Sequence, residues 1–132
     1  LVTSMQTTDS LDKHLSLFYA ELQRLKMVLD AVKEEEDVFF IIDEMLKGTN
    51  EMDRSKGAVV LVKQLAKLGA SGIAATHDLE LTKLATAENL IYNAHFDGYV
   101  EDDRLLFDYR LKDDICQSFN ALVLMKKIGI EL

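Results

Sequence analysis

Five consecutive apolar residues, Val38-Phe39-Phe40-Ile41-Ile42, followed at once by the acids Asp43 and Glu44, limit the folds open to this chain more than any other feature. So short an unbroken run of β-branched and aromatic residues predicts a strand buried on both faces, the habit of parallel sheets. A second small apolar run, Gly72–Thr76, leads into His77 and Asp78. Helical spacing between the two runs predicts a crossover helix from near Asp53 through Leu68, with Val59, Val60, Val62, Leu65, Ala66 and Leu68 as packing residues and Gly69 closing it. Two parallel strands then end side by side. Open α/β sheets place their sites at that edge, where Asp43, Glu44 and His77 all fall.

The remainder extends the pattern. Residues 2–6 read as a short strand. Leu15, Phe18, Leu22, Leu25, Leu29 and Val32 recur at three- and four-residue steps, one face of a long helix. Glu34, Glu35, Glu36 and Asp37 oppose the negative end of that helix and read as a solvated turn. Gly48-Thr49-Asn50 makes a second turn, and Asp78 caps a short helix through Leu79, Leu81 and Leu84. Leu90–Tyr99 and Arg104–Leu111 form an antiparallel hairpin about Glu101-Asp102-Asp103. A last helix from about Cys116 to Lys127 turns Phe119, Leu122, Val123 and Met125 inward and ends at Gly129. The expected architecture is an α/β sheet with an antiparallel extension.

The strand tips carry recognisable chemistry. An Asp there can hold the hydrated shell of magnesium on nucleotide phosphates, a following Glu can polarise a water, and a His can contact the terminal phosphate. Each has a plainer account: Asp43 capping a turn, His77 ending a strand, Ser16 capping a helix. Helix N-termini also bind phosphate. The phosphate cradle is missing, since none of the six glycines lies in GxxxxGK[ST]. His14 and His95 have no partner at metal-ligand spacing, so no zinc site is expected. The single Cys116 excludes an internal disulfide and any CxxC site, and fits a reducing cytoplasm.

The 132 residues are 48% hydrophobic and 29% charged, ample for one soluble domain or part of one. No apolar run approaches the roughly 20 residues that span a bilayer, so no direct membrane contact is expected from this segment. A net charge of −8 repels phosphodiester backbones, which excludes strong nucleic-acid binding by this surface alone. A start at Leu1 without a leader predicts an excerpt from a longer chain.

Across nearly its whole length the chain resembles the C-terminal ATPase domain of MutS-type DNA mismatch-repair proteins, a branch of the ABC ATPases. Ser16-Leu17-Phe18-Tyr19-Ala20-Glu21-Leu22 is similar to the family's signature segment, with Ser16, Phe18 and Glu21 at matching positions. FFIIDEM resembles Walker B, with Asp43 and Glu44 as its acids, and KGTNEMD resembles the D-loop, with Thr49, Asn50 and Asp53. ATHD supplies the switch histidine, His77. NAHFD at 93–97 and the tail with Ser118, Asn120 and Gly129 resemble the closing hairpin and helix. Gln6-Thr7-Thr8, His14, Leu15 and Lys47 depart from the usual pattern and mark a divergent member.

The resemblance implies a partial P-loop NTPase sheet over residues 1–132, lacking Walker A, in a protein that couples ATP and Mg2+ to conformational change on DNA. It implies a head-to-tail homodimer with composite sites. Asp43 would serve the metal, Glu44 and His77 the hydrolysis, and Ser16, Thr49, Asn50 and Asp53 the nucleotide and the partner's site. DNA would be bound by modules outside the chain, and the excerpt alone should be inactive. Two other readings stay open: a degenerate ABC-like dimerisation module without turnover, and a flavodoxin-like regulatory domain with Asp43 as phospho-acceptor or ion ligand.

Overall fold

The computed structural model describes residues 8–34, 37–117 and 121–130, with backbone alone at 8–10 and 121–123. The expected strand at 2–6, and Ser118, Phe119 and Asn120, lie outside the described residues. The chain divides into two units, 1–91 and 92–132.

In the first unit, helix α1 (Thr8–Lys33) precedes strand β1 (Phe39–Asp43), helix α2 (Glu51–Lys67), strand β2 (Ser71–Ala75) and short helix α3 (Leu79–Thr82). β1 and β2 pair in parallel, Phe39 opposite Ser71 through Asp43 opposite Ala75. α2 is the crossover that parallel strands need. It closes on Gly69 at φ +75, where the Gly69 amide bonds the Ala66 carbonyl and the Ala70 amide bonds the Leu65 carbonyl. That pair of bonds is the Schellman cap, which favours glycine because only glycine takes positive φ without strain.

The core lies on one side of the two-stranded sheet. Met45, Leu46, Ala58, Leu61, Leu65, Leu81 and Leu84 are buried, and Phe40, Ile42, Leu25, Val28, Leu29 and Val32 pack against them. Burial of β1 on both faces is therefore corrected. Phe40 and Ile42 face the core, while Phe39 and Ile41 are 63% and 76% exposed, as a strand's two-residue period requires when one face is covered. On α2, Leu65 is buried and Val59 and Val62 pack against the core as expected, while Val60 and Leu68 are exposed and Ala58 and Leu61 join the buried set. On α1, Leu15 and Leu22 are exposed, whereas Phe18, Leu25, Leu29 and Val32 meet the core. A helix of 26 residues runs about 39 Å, more than twice the roughly 17 Å of a five-residue strand, and Leu11, Leu15 and Leu17 in its first half are exposed.

In the second unit, strands β3 (Ala94–Glu101) and β4 (Arg104–Asp113) form an antiparallel hairpin, followed by helix α4 (Ala121–Lys127). Asp102 and Asp103 turn the chain at φ 50 and 59. Two left-handed residues give the tight turn whose twist matches the flanking strands, and Asp tolerates that conformation better than most residues. The hairpin is a sheet of its own rather than an extension of β1–β2. Backbone bonds from Gly129 to Lys126 and from Ile130 to Met125 cap α4 as at Gly69. Met125, expected inside, is 39% exposed. Among the described residues no helix is long and apolar enough to cross a membrane.

Candidate active site

The register of β1 and β2 brings their C-terminal ends level, Asp43 against Ala75, and the Glu44 amide continues the ladder by donating to the Ala75 carbonyl at 2.9 Å. Asp43, at the tip, is exposed. Glu44 and Leu46 both adopt positive φ, 52 and 62. For residues with a Cβ such backbone costs on the order of 1–3 kcal/mol each and persists only where surroundings over-determine it.

Three contacts do so here. Met45 and Leu46 are buried at 4% and 6% exposure. The Leu46 amide donates to Oε1 of Glu21 on α1 at 2.6 Å. Gly48 lies so close to α1 that a Cβ there would stand 2.6 Å from the Phe18 Cβ. Phe18 and Glu21 are three apart on one helical face, so α1 braces the turn with an aromatic ring and a carboxylate.

The turn delivers Glu44 to His77. Oε1 of Glu44 lies 3.0 Å from Nδ1 of His77, with the carboxylate mostly buried and the ring exposed. An ionised carboxylate only accepts, so Nδ1 carries the proton and Nε2 is the nitrogen left for a ligand. A neutral ring would accept through Nε2, and a doubly protonated ring would donate. Asp78, next in sequence, caps α3 by accepting the Glu80 amide at 2.9 Å. A hydrogen bond from the Ser55 hydroxyl on α2, aided by the Glu80 amide, Arg54 and Lys83, holds the Asp78 carboxyl below its usual range against the opposing effect of burial.

The D-loop residues gather at the start of α2. Asn50 is the N-cap; its Oδ1 accepts the Asp53 amide at 2.9 Å, and its Nδ2 donates to the Asp53 carboxylate at 2.8 Å. Their first visible task is helix capping. Thr49, half-buried, sits in the turn just before. Ser16 is exposed on α1 and, among the described residues, makes no side-chain bond to the strand tips. The structure thus unites Asp43, Glu44 and His77 at one edge and pairs Asn50 with Asp53, leaving Ser16 apart. A cleft of about 330 Å³ between Val38–Phe39 and Gly69–Ser71 lies at the opposite strand ends.

Two features escaped the sequence. Glu21 and Phe18, matched only by resemblance, are the supports of the Glu44 turn. The expectation that His95 lacks metal-ligand partners is corrected as well: His95, Asp97 and Cys116 bring their ligand atoms within 4.8 Å of one another. The legible signal was the two-residue step from His95 to Asp97, which puts both on one face of a strand.

The family model for MutS domain V matches residues 1–130. An Endonuclease MutS2 of Clostridium botulinum (strain Loch Maree / Type A3) is 30% identical over 121 residues, 92% of this chain and 15% of that protein. The DNA mismatch repair protein MutS of Persephonella marina is 26% identical over 132 residues, 99% of this chain and 15% of its own. An Endonuclease MutS2 of Symbiobacterium thermophilum is 29% identical over 121 residues, again 15% of its length. The chain spans about 15% of the length of these relatives. With the family model covering it almost end to end, the chain belongs to the MutS family, to the part described as domain V.

Proposed function

We propose that this chain is the hydrolytic portion of an ATPase site of P-loop, ABC-like type, within a MutS-family protein that couples ATP turnover to conformational change on DNA. The observation that carries the reading is the braced turn that sets Glu44 against His77 beside Asp43 at the ends of two parallel strands. Glu44 has one oxygen engaged by His77 and uses the other to take up a water proton. His77 fixes the rotamer of that carboxylate and presents Nε2 to the terminal phosphate.

The exposed oxygen donors of Asp43 fit a magnesium ion that keeps most of its waters. Magnesium, when bound, neutralises charge on the phosphates. Ser16, exposed and outside its own strand-tip group, is available to the site of a second protomer. Thr49 and the mutually bonded Asn50–Asp53 pair form the firm bridge between two such sites. A glycine-rich cradle, which this chain does not hold, would complete the nucleotide site. The relatives' names, a mismatch repair protein and an endonuclease, point to DNA as the target, reached through other modules because this surface is acidic.

The test is Glu44→Gln in the full-length protein. The amide can still accept from His77 but cannot take a water proton, so Mg-ATP binding should persist while turnover falls about 10²–10⁴-fold. Unchanged turnover would remove Glu44 from the chemistry and with it this reading.

A further inference from the structure

Three metal-binding groups converge in the second unit. Nε2 of His95 stands 3.1 Å from Oδ1 of Asp97, and Sγ of Cys116 stands 3.6 Å from the same oxygen. All three residues are half-buried. A register irregularity in the hairpin isolates Asp97: Phe96 pairs with Leu111 and Gly98 with Phe107, so Asp97 faces the three residues Asp108, Tyr109 and Arg110. Tyr109 takes φ 56 there. Bulges of this kind re-aim a side chain out of the regular ladder.

Proton counting makes the cluster informative. Nδ1 of His95 lies 2.6 Å from the Asp114 carbonyl oxygen, which can only accept, so Nδ1 carries a proton. Nε2 then faces a carboxylate oxygen, a second group that only accepts when ionised. A metal ion placed there would be shared by Nε2 and the carboxylate oxygen. The two distances to Asp97 suit a metal, and the three ligand atoms all lie within 4.8 Å of one another. Bonds of about 2.0 Å to N and O and about 2.3 Å to S put tetrahedral ligand atoms roughly 3.3–3.6 Å apart, close to the 3.1 and 3.6 Å observed. Lys112 holds the other Asp97 oxygen at 2.6 Å and reaches Asp108 at 2.9 Å, which leaves Asp97 a one-oxygen ligand.

We propose that His95 Nε2, Asp97 Oδ1 and Cys116 Sγ form a site for a thiophilic divalent cation of the zinc class, with three protein ligands and one open position. The mixed N, O and S set favours zinc over magnesium or calcium, which prefer oxygen alone. Binding converts the thiol to a thiolate and releases its proton to solvent, and no electron moves. One thiolate and one carboxylate balance the ion's charge. The Asp114 carbonyl orients the imidazole, the usual second partner of a ligating histidine. The ion would tie the segment after β4 to Asp97 of β3, opposite the bulge in β4.

The experiment uses the purified full-length protein, with Co2+ alone as a spectroscopic probe and Zn2+ alone as a competitor. Expected are a thiolate-to-cobalt charge-transfer band, its loss on adding Zn2+, and Zn2+ protection of the Cys116 peptide from alkylation, read by mass spectrometry. Cys116→Ser should abolish the band, and His95→Gln should weaken Co2+ binding at least about tenfold. If either variant fails to fold, the band and the protection in the unaltered protein decide. No band and no protection, or a band that survives Cys116→Ser in a folded variant, overturns the assignment.

Discussion

Glu21 and Leu46 lie 25 positions apart, yet the carboxylate of the first accepts the amide of the second at 2.6 Å. This bond fastens the long first helix to the strained turn that carries Glu44, so a residue remote in sequence helps set where the Glu44 side chain points.

Glu21→Ala should therefore destabilise the first unit. A bond to a charged acceptor contributes about 1.5–3 kcal/mol when its donor would otherwise be left unsatisfied. Glu21→Gln keeps an acceptor oxygen and should recover most of the loss. Urea unfolding of the three proteins checks this; equal midpoints would mean that solvent satisfies the Leu46 amide just as well.

Much of this arrangement was readable in the residues. The run before Asp43 and the run before His77 gave both strands, Gly69 marked the end of α2, and the acids at 101–103 marked the hairpin turn. The faces were less legible. Four apolar residues in a row do not say which side a sheet covers, so Phe39 and Ile41 were placed inside although they are exposed. In α2 the periodicity points to Val59, Val62 and Leu65, which do pack inward, but also to the exposed Val60, and it passes over the buried Ala58 and Leu61. Met45 and Leu46 follow catalytic candidates and look like loop, yet tertiary packing buries them to hold the turn. Long-range partners such as Glu21 with Leu46, or Cys116 with Asp97, depend on chain crossings that local periodicity does not encode.

Ser55→Ala should reveal a pH-dependent contribution. The Ser55 hydroxyl is the chief cause that lowers the Asp78 carboxyl below 3.8. A depressed folded pKa stabilises the fold above the unfolded value, and that contribution is lost as pH falls through the folded value. The stability gap between the native protein and Ser55→Ala should be widest near neutrality and narrow below about pH 4. Urea melts at neutral and acid pH measure it. A gap that widens in acid would mean that Ser55 favours the protonated carboxyl.

The 132-residue chain by itself should neither bind nor turn over Mg-ATP appreciably, because it holds no glycine-rich cradle for the phosphates. Calorimetry is expected to show no submillimolar isotherm. A well-formed micromolar one would expose a phosphate site of another kind.

Mixing two inactive full-length variants tests the composite site. On the proposed composite site, Ser16→Ala would damage the partner's site and Glu44→Gln its own, so a heterodimer would carry one site with both defects and one intact. Steady-state ATP turnover should rise on mixing. If heterodimers form without any gain, Ser16 works within its own protomer or the two sites cannot fire independently.

The bare outer face of the β1–β2 sheet has a colloidal consequence. Phe39, Ile41 and Ile73 are each more than half exposed on two short neighbouring strands, an apolar patch of the sort that draws molecules together. Against it stands a net charge of −8, which keeps like molecules apart. These opposing terms respond differently to salt. Ions shorten the reach of the repulsion to about 8 Å at physiological strength and leave the attraction of the patch in place. The chain in isolation is thus dispersed by its acidity and becomes adhesive as salt rises, contrary to the behaviour of proteins held together by ion pairs.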